Sequence, residues 1–272
     1  MGYIFFFLSR NGKRYNIIHT NLRVLLKKKL VDNNNIIIKH YKKFTTALFF
    51  HVKFIFATNE WLKRNIIFEN IELLSSAKEK PTVIFGLHTL YGFCGTYLGY
   101  HKEPSEITVI AQKQRQKFGD ELTKYYVNRF SRMEYNDKNS TFSLGLDFMQ
   151  EKHKIIILAP DQDRAEGGTL IVNFFNLPFK INHGWMHLAQ IKEANILYAS
   201  ALMNEKKQLV IRLVSPNYTS PLPNSLENLW QNYFNWMEEI ITKNPIQYFW
   251  GNRILKNFDA KDDIDYYDRK IP

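Results

Sequence analysis

The chain of 272 residues is 45% apolar, enough to bury a sizeable core in one α/β domain with an appended segment. Lys and Arg exceed Asp and Glu by 11, and the excess is local: ten basic residues stand between Arg10 and Lys43 against the single acid Asp32. One cysteine, Cys94, excludes an internal disulfide and any CxxC metal site and fits a reducing compartment.

In chain order, "YIFFFL" at residues 3–8 comes first. It is far too short to span a bilayer, which takes ~20 residues, and it lacks the charges and cleavage site of a secretory signal. It is long enough for a wedge in the membrane interface. "RYNIIHTNLRVLL" sets Ile17, Ile18, Asn21, Leu22, Leu25 and Leu26 near one helical face. "IIIKHYKKFTTALFFHVKFIF" does the same with Phe44, Leu48, Phe49, Val52, Ile55 and Phe56. Two readings of these helices stand side by side: an interfacial pair whose basic flanks meet anionic lipid, or helices packed on the domain core with a solvated basic face. Concentrated positive charge also suits nucleic acid, but no recognised nucleic-acid module stands beside it, so no nucleic-acid partner is expected.

From about Ile66 the pattern alternates between short apolar runs and helical stretches. Strands are predicted at Thr82–Leu87, Ile107–Ala111, Lys154–Ala159, Thr169–Phe175, Ile196–Leu202 and Leu209–Val214. Helices are predicted at Lys117–Phe130, Ser140–Glu151, His183–Lys192 and Ser225–Lys243, the last capped by Asn224. Unbroken runs such as "KIIILAP" imply burial on both sheet faces. The expected fold is α/β, a mixed central sheet flanked by helices over residues 66–272, with a basic helical membrane-associating region at residues 1–65.

The chemistry is sparse. There is no GxGxxG, Walker loop, HExxH or GxSxG, and no cofactor or metal is expected. His183 and His187 are four apart, as helical metal ligands would be, but no third ligand accompanies them. "TVIFGLHTLYGFCG" delivers His88 at the end of an apolar strand, where an imidazole suits general-base work. "IIILAPDQDRAEGG" ends a second buried strand in Asp161, Gln162, Asp163 and Arg164. Ligand sites of α/β sheets lie beyond such strand ends. Cys94 beside His88 supplies a separate reading, a thiol nucleophile in a thioester hydrolase. The commoner condition of a lone cysteine is burial.

"HTLYGF", "LAPDQD", "NFFNLPFKINHGWMHLA" and "NPIQYFWGNRILK" occur in the order found in the lipid A late acyltransferases, a branch of the lysophospholipid acyltransferase superfamily. "NIIHTNLRVLL" resembles that family's N-terminal helix, so the likeness runs from about Arg10 to Lys256. It implies acyl transfer from a thioester on acyl carrier protein or CoA to a hydroxyl of a lipid or glycolipid acceptor of lipid A type. It implies a peripheral protein at the cytoplasmic face of the inner membrane. His88 matches the family base, Asp161 the strand-end acid, Arg253 the basic residue after the tryptophan, and Arg129 or Arg132 an arginine ahead of the "DQ" strand. Arg129, Arg164 and Arg253 are the expected anion contacts. Two departures matter. The family has Glu or Asp five residues after its histidine, where this chain has Phe93, and it usually carries a membrane-spanning helix ahead of its first conserved segment.

Phe93 can neither accept a hydrogen bond nor carry charge, and loss of an orienting acid costs about 10⁴ in turnover in serine proteases. Three readings follow. Asp161 or Asp163 reaches His88 through space; the acceptor is an amine or similar group needing less support; or the chain has lost chemistry and retains lipid or carrier-protein binding.

Overall fold

The structure is a computed structural model. It describes residues 13–26, 33–101, 106–111, 117–135, 145, 150, 153–162, 169–216, 225–257 and 267. The helix predicted at Ser140–Glu151 falls almost wholly outside the described residues.

Three helices lead: α1 (Lys13–Leu25), α2 (Asn33–Phe56) and α3 (Asn59–Asn65). The strands are β1 (Ile66–Glu69), β2 (Thr82–Gly86), β3 (Ile107–Ala111), β4 (Arg132–Tyr135), β5 (Ile155–Leu158), β6 (Thr169–Phe174), β7 (Leu177–Asn182), β8 (Asn195–Met203) and β9 (Leu209–Val214). Helices α4 (Lys117–Asn128), α5 (Gly184–Ile191) and α6 (Leu226–Lys243) complete the set, with 3-10 turns between. A seven-stranded sheet runs in the order β1-β9-β8-β2-β5-β3-β4. All its pairs are parallel except the β8–β9 hairpin, so the sheet is mixed, as expected.

Strand alternation builds two cores, one on each sheet face. Val83, Phe85, Ile156, Leu158, Ile196 and Tyr198 enter one cluster. Their sequence neighbours Ile84, Ile155, Leu197 and Ala199 enter the other. That explains why the central strands read as continuous apolar runs. The first face is covered by α1, α5 and α6. The contribution of α6 is large: Leu229, Trp230, Tyr233, Phe234, Met237 and Ile241 are each no more than 1% exposed. Such burial is worth about 1.5–3 kcal/mol per large apolar side chain before entropy is counted. Its N-cap is Ser225, whose hydroxyl accepts from the Asn228 N–H, rather than the expected Asn224.

At about 1.5 Å per residue, α2 is roughly 36 Å long and links the two cores. Ile37 and Tyr41 belong to the first cluster, Ala47, Phe54 and Ile55 to the second. Residues on both sides of the boundary expected at 65/66 therefore share the same cores. On the second face, the 3-10 segment Gly92–His101 packs under α4 so closely that a Cβ on Gly99 would stand 1.6 Å from the Phe130 carbonyl oxygen.

Three strands escape the sequence reading: β1, β4 and β7. The run at Thr169–Phe175 is a strand, but it pairs only with β7, in a separate two-stranded hairpin. Its two-residue turn, Phe175–Asn176, has φ of 52° and 58°, the paired positive values that a tight hairpin turn requires. No helix among the described residues is long and apolar enough to cross a membrane.

Candidate active site

The site follows from the register of two neighbouring parallel strands. Phe85 of β2 lies opposite Leu158 of β5. His88 is three residues past Phe85 and Asp161 three past Leu158, so the chain exits at the same level in both strands and the two residues meet. His88 Nδ1 is 2.7 Å from Asp161 Oδ1. A carboxylate only accepts, so Nδ1 carries the proton and donates it. The His88 backbone N–H also points at the carboxylate, 3.3 and 3.2 Å from its two oxygens. Tyr248 donates its hydroxyl to Asp161 Oδ2 at 2.7 Å. The Asp161 side chain is fully buried, whereas that of His88 is 37% exposed. Nε2 therefore lies on the side of the ring away from the acid, and the ring reaches solvent.

Tyr248 is the residue that sequence reading missed. It stands in the quoted stretch "NPIQYFWGNRILK", but nothing local distinguishes a tyrosine that orients an acid from one that packs. Burial, and then the negative Asp161 beside it, push its pKa well above the usual tyrosine range, so it remains a donor. The segment carrying it is tied to the histidine turn: the Phe249 N–H donates to the His88 carbonyl at 2.8 Å, and the Leu90 N–H to the Gln247 carbonyl at 2.7 Å. Gln247 itself is buried and bonds both backbone groups of Met203. From α1, Asn21 Nδ2 donates to the carbonyls of Trp250 and Asn252 at 2.8 and 2.7 Å. Helix α1, for which an interfacial and a core-packed reading stand side by side in the sequence, thus clamps the loop that carries Tyr248.

The other expected site residues have different surroundings. Gln162 holds this loop, donating to Tyr248 Oη and the Phe249 carbonyl at 3.3 and 3.1 Å and accepting from the Asn252 side chain. Arg129 spans the C-terminus of α2. Its guanidinium donates to the carbonyls of Phe54, Ile55 and Ala57 at 2.7, 2.8 and 2.5 Å, where a cation complements the helix dipole. Three of its five N–H donors are spent on this cap, and its side chain also lines an open groove with Tyr125 and Asn128. Arg132 pairs with Glu134 on the surface. Arg253 is half-buried, its guanidinium carbon 5.3 Å from the Tyr267 ring centre. Asp163 and Arg164 lie outside the described residues. His183 and His187 face each other at 6.1 Å between ring centres, and among the described residues no group of three metal-ligating side chains gathers.

Phe93, at the position of the family acid, is 43% exposed with its ring against Tyr126. Cys94 is buried and keeps different company from His88. Its Sγ is 2.8 Å from Tyr126 Oη, which is 3.1 Å from His51 Nδ1, while His51 Nε2 is 2.8 Å from the Leu90 carbonyl. The carbonyl can only accept, so Nε2 of His51 carries the proton. Nδ1 then accepts from Tyr126, and Tyr126 from the thiol. Burial pushes the Cys94 thiol up to about 12, against a smaller lowering by its bond to Tyr126. A thiol held protonated is a poor nucleophile.

A mixed α/β sheet with a His–Asp pair at the ends of adjacent parallel strands, the acid buried and the ring reaching solvent, has the geometry that general-base chemistry requires. The family model for bacterial lipid A biosynthesis acyltransferases matches residues 2–257, and the chain belongs to that family. No curated protein matches the chain.

Proposed function

We propose that this family member is an active acyltransferase in which Asp161 replaces the acid missing at position 93. The observation that carries the reading is the 2.7 Å bond between His88 Nδ1 and the buried Asp161 carboxylate. With Nδ1–H held there, Nε2 of His88 takes the proton of an acceptor hydroxyl as its oxygen attacks the thioester carbonyl carbon. The C–O bond forms, the tetrahedral adduct collapses, and the C–S bond breaks. The departing thiolate then takes the proton from the imidazolium, leaving an ester and a free thiol. Asp161 stabilises the imidazolium while it exists, and Tyr248 and the His88 N–H keep the acid in line.

The donor in this reading is an acyl thioester on acyl carrier protein or CoA, and the acceptor a lipid or glycolipid of lipid A type. Arg129, Arg164 and Arg253 are the proposed anion contacts. The setting is the cytoplasmic face of the inner membrane, where a water-soluble donor meets a lipid acceptor, with the protein held peripherally on an anionic surface. Two other readings share the family and the fold: a binding module for lipid or carrier protein without turnover, and a thioester hydrolase using Cys94. The raised thiol and its separation from the His88–Asp161 pair argue against the hydrolase.

Transfer assays with acyl carrier protein and acyl-CoA donors and a lipid A precursor test the set. His88→Ala should abolish transfer with donor affinity kept, and Cys94→Ala should retain it. Full activity in His88→Ala refutes the base assignment. Loss in both variants favours the hydrolase, and a wild-type protein that binds substrates without turnover favours the binding module.

A further inference from the structure

Folding divides the apolar residues of α2 between the core and the surface. Ala47, Phe54 and Ile55 are buried, and Phe44 packs against Phe249 with ring centres 6.5 Å apart. Leu48, Phe49, Val52 and Phe56 are left exposed, at 46%, 54%, 51% and 77%. A helix turns about 100° per residue, so these four lie within an arc of about 100° on the face opposite the core, over roughly 12 Å of axis. They are four of the nine large exposed apolar side chains among the described residues, gathered in nine positions of one helix. Scattered exposed apolar residues need no explanation, but a contiguous stripe does.

The stripe has a charged border of one sign. On the same projection the exposed Lys42 and Lys53 follow the apolar arc along one edge at about 120–140°. The helix carries Lys39, Lys42, Lys43 and Lys53 and no acid at all. At its C-terminus, Phe56 and the 61% exposed Tyr125 line one open groove of about 580 Å³ with Arg129. The helix also runs beside the site, since Phe44 touches the residue after Tyr248 and His51 holds the Leu90 carbonyl two residues after His88.

We propose that this face of α2 is the surface by which the protein lies on an anionic bilayer. Phe49, Val52 and Phe56 enter the boundary between headgroups and acyl chains, and Lys42 and Lys53 rest on headgroup phosphates. A second copy is a poor occupant, because opposing two such faces brings lysine edges of equal sign together. An apolar stripe with basic edges and no acid is complementary to anionic lipid. The inference rests on the acyl-transfer reading for its purpose, presenting His88 to a lipid acceptor, but its test does not require turnover.

The test is flotation of the full chain with vesicles of phosphatidylglycerol and phosphatidylcholine, comparing wild type with Phe49→Gln/Val52→Gln/Phe56→Gln. All three positions are exposed, and thermal melts check that the variant folds as the wild type does. The triple variant should partition about a hundred-fold more weakly, the loss expected when three half-inserted apolar side chains are removed. Wild-type binding should weaken but persist as salt rises, because insertion is not screened. Unchanged partitioning in the triple variant overturns the inference. So does a wild-type dimer that the variant breaks while vesicle binding stays the same. Wild-type protein that floats with vesicles but transfers no acyl group sinks the proposed function and leaves this inference standing.

Discussion

Replacing Asp161 by Asn keeps the size of the buried acid but removes its charge and turns one of its two accepting oxygens into an amide donor. In the proposed reaction that charge matters most when His88 becomes an imidazolium. With about 4 Å between charge centres and an effective dielectric near 20, the attraction is about 4 kcal/mol. Solvent reaching the partly exposed ring weakens it, leaving about 2–4 kcal/mol. Asp161→Asn should therefore lower kcat by roughly 30- to 1000-fold with little change in KM for the acyl donor. Tyr248→Phe removes a neutral donor from Oδ2 and should cost less, about 2- to 10-fold. Steady-state transfer with a lipid acceptor, alongside thermal melts to confirm folding, reads both effects. An Asp161→Asn enzyme within about ten-fold of wild type would refute the argument that this acid replaces the missing one.

Two further outcomes concern stability. Burial holds His40 down at about 4, against an opposing pull from its bond to the Ile246 carbonyl, while an ordinary histidine titrates near 6.5. Between these values the unfolded chain binds the extra proton, so stability should fall by about 3 kcal/mol as pH drops through the window and be intact above it. Urea unfolding of wild type and His40→Asn isolates the effect, and equal pH slopes in the two proteins would contradict it. Arg129→Met removes three charge-assisted bonds at the end of α2 and should cost about 2–4 kcal/mol of stability. A melt that does not move, with KM for donor or acceptor sharply raised, would make anion binding rather than capping the main role of Arg129.

The sequence by itself determined the layers and the places where chemistry is presented. Runs such as Thr82–Leu87 and Lys154–Ala159 are apolar at consecutive positions, and only a strand covered on both faces tolerates that. They therefore marked the central strands and the two ends that carry His88 and Asp161. Short strands with mixed exposure were silent. β1 has no strict period and β4 is only four residues long, so pairing partners make them strands. β7 does alternate, with Phe179 and Ile181 buried, and its signal was passed over.

What only the tertiary structure decided is the company each side chain keeps. The family acid is absent five residues after His88, and nothing local says that Asp161 reaches the histidine. That contact comes from the parallel register of Phe85 with Leu158, set by the packing of whole strands. Tyr248 joins the pair from 87 residues beyond Asp161. The carbonyls that Gln162 and Arg129 bond come from distant segments, so these partners were not legible in a linear reading. The periodicity of α2 likewise identified an apolar stripe without dividing it. A helix period records which residues share a face, while the neighbours that cover Ile55 and leave Phe56 exposed exist only once the chain has folded.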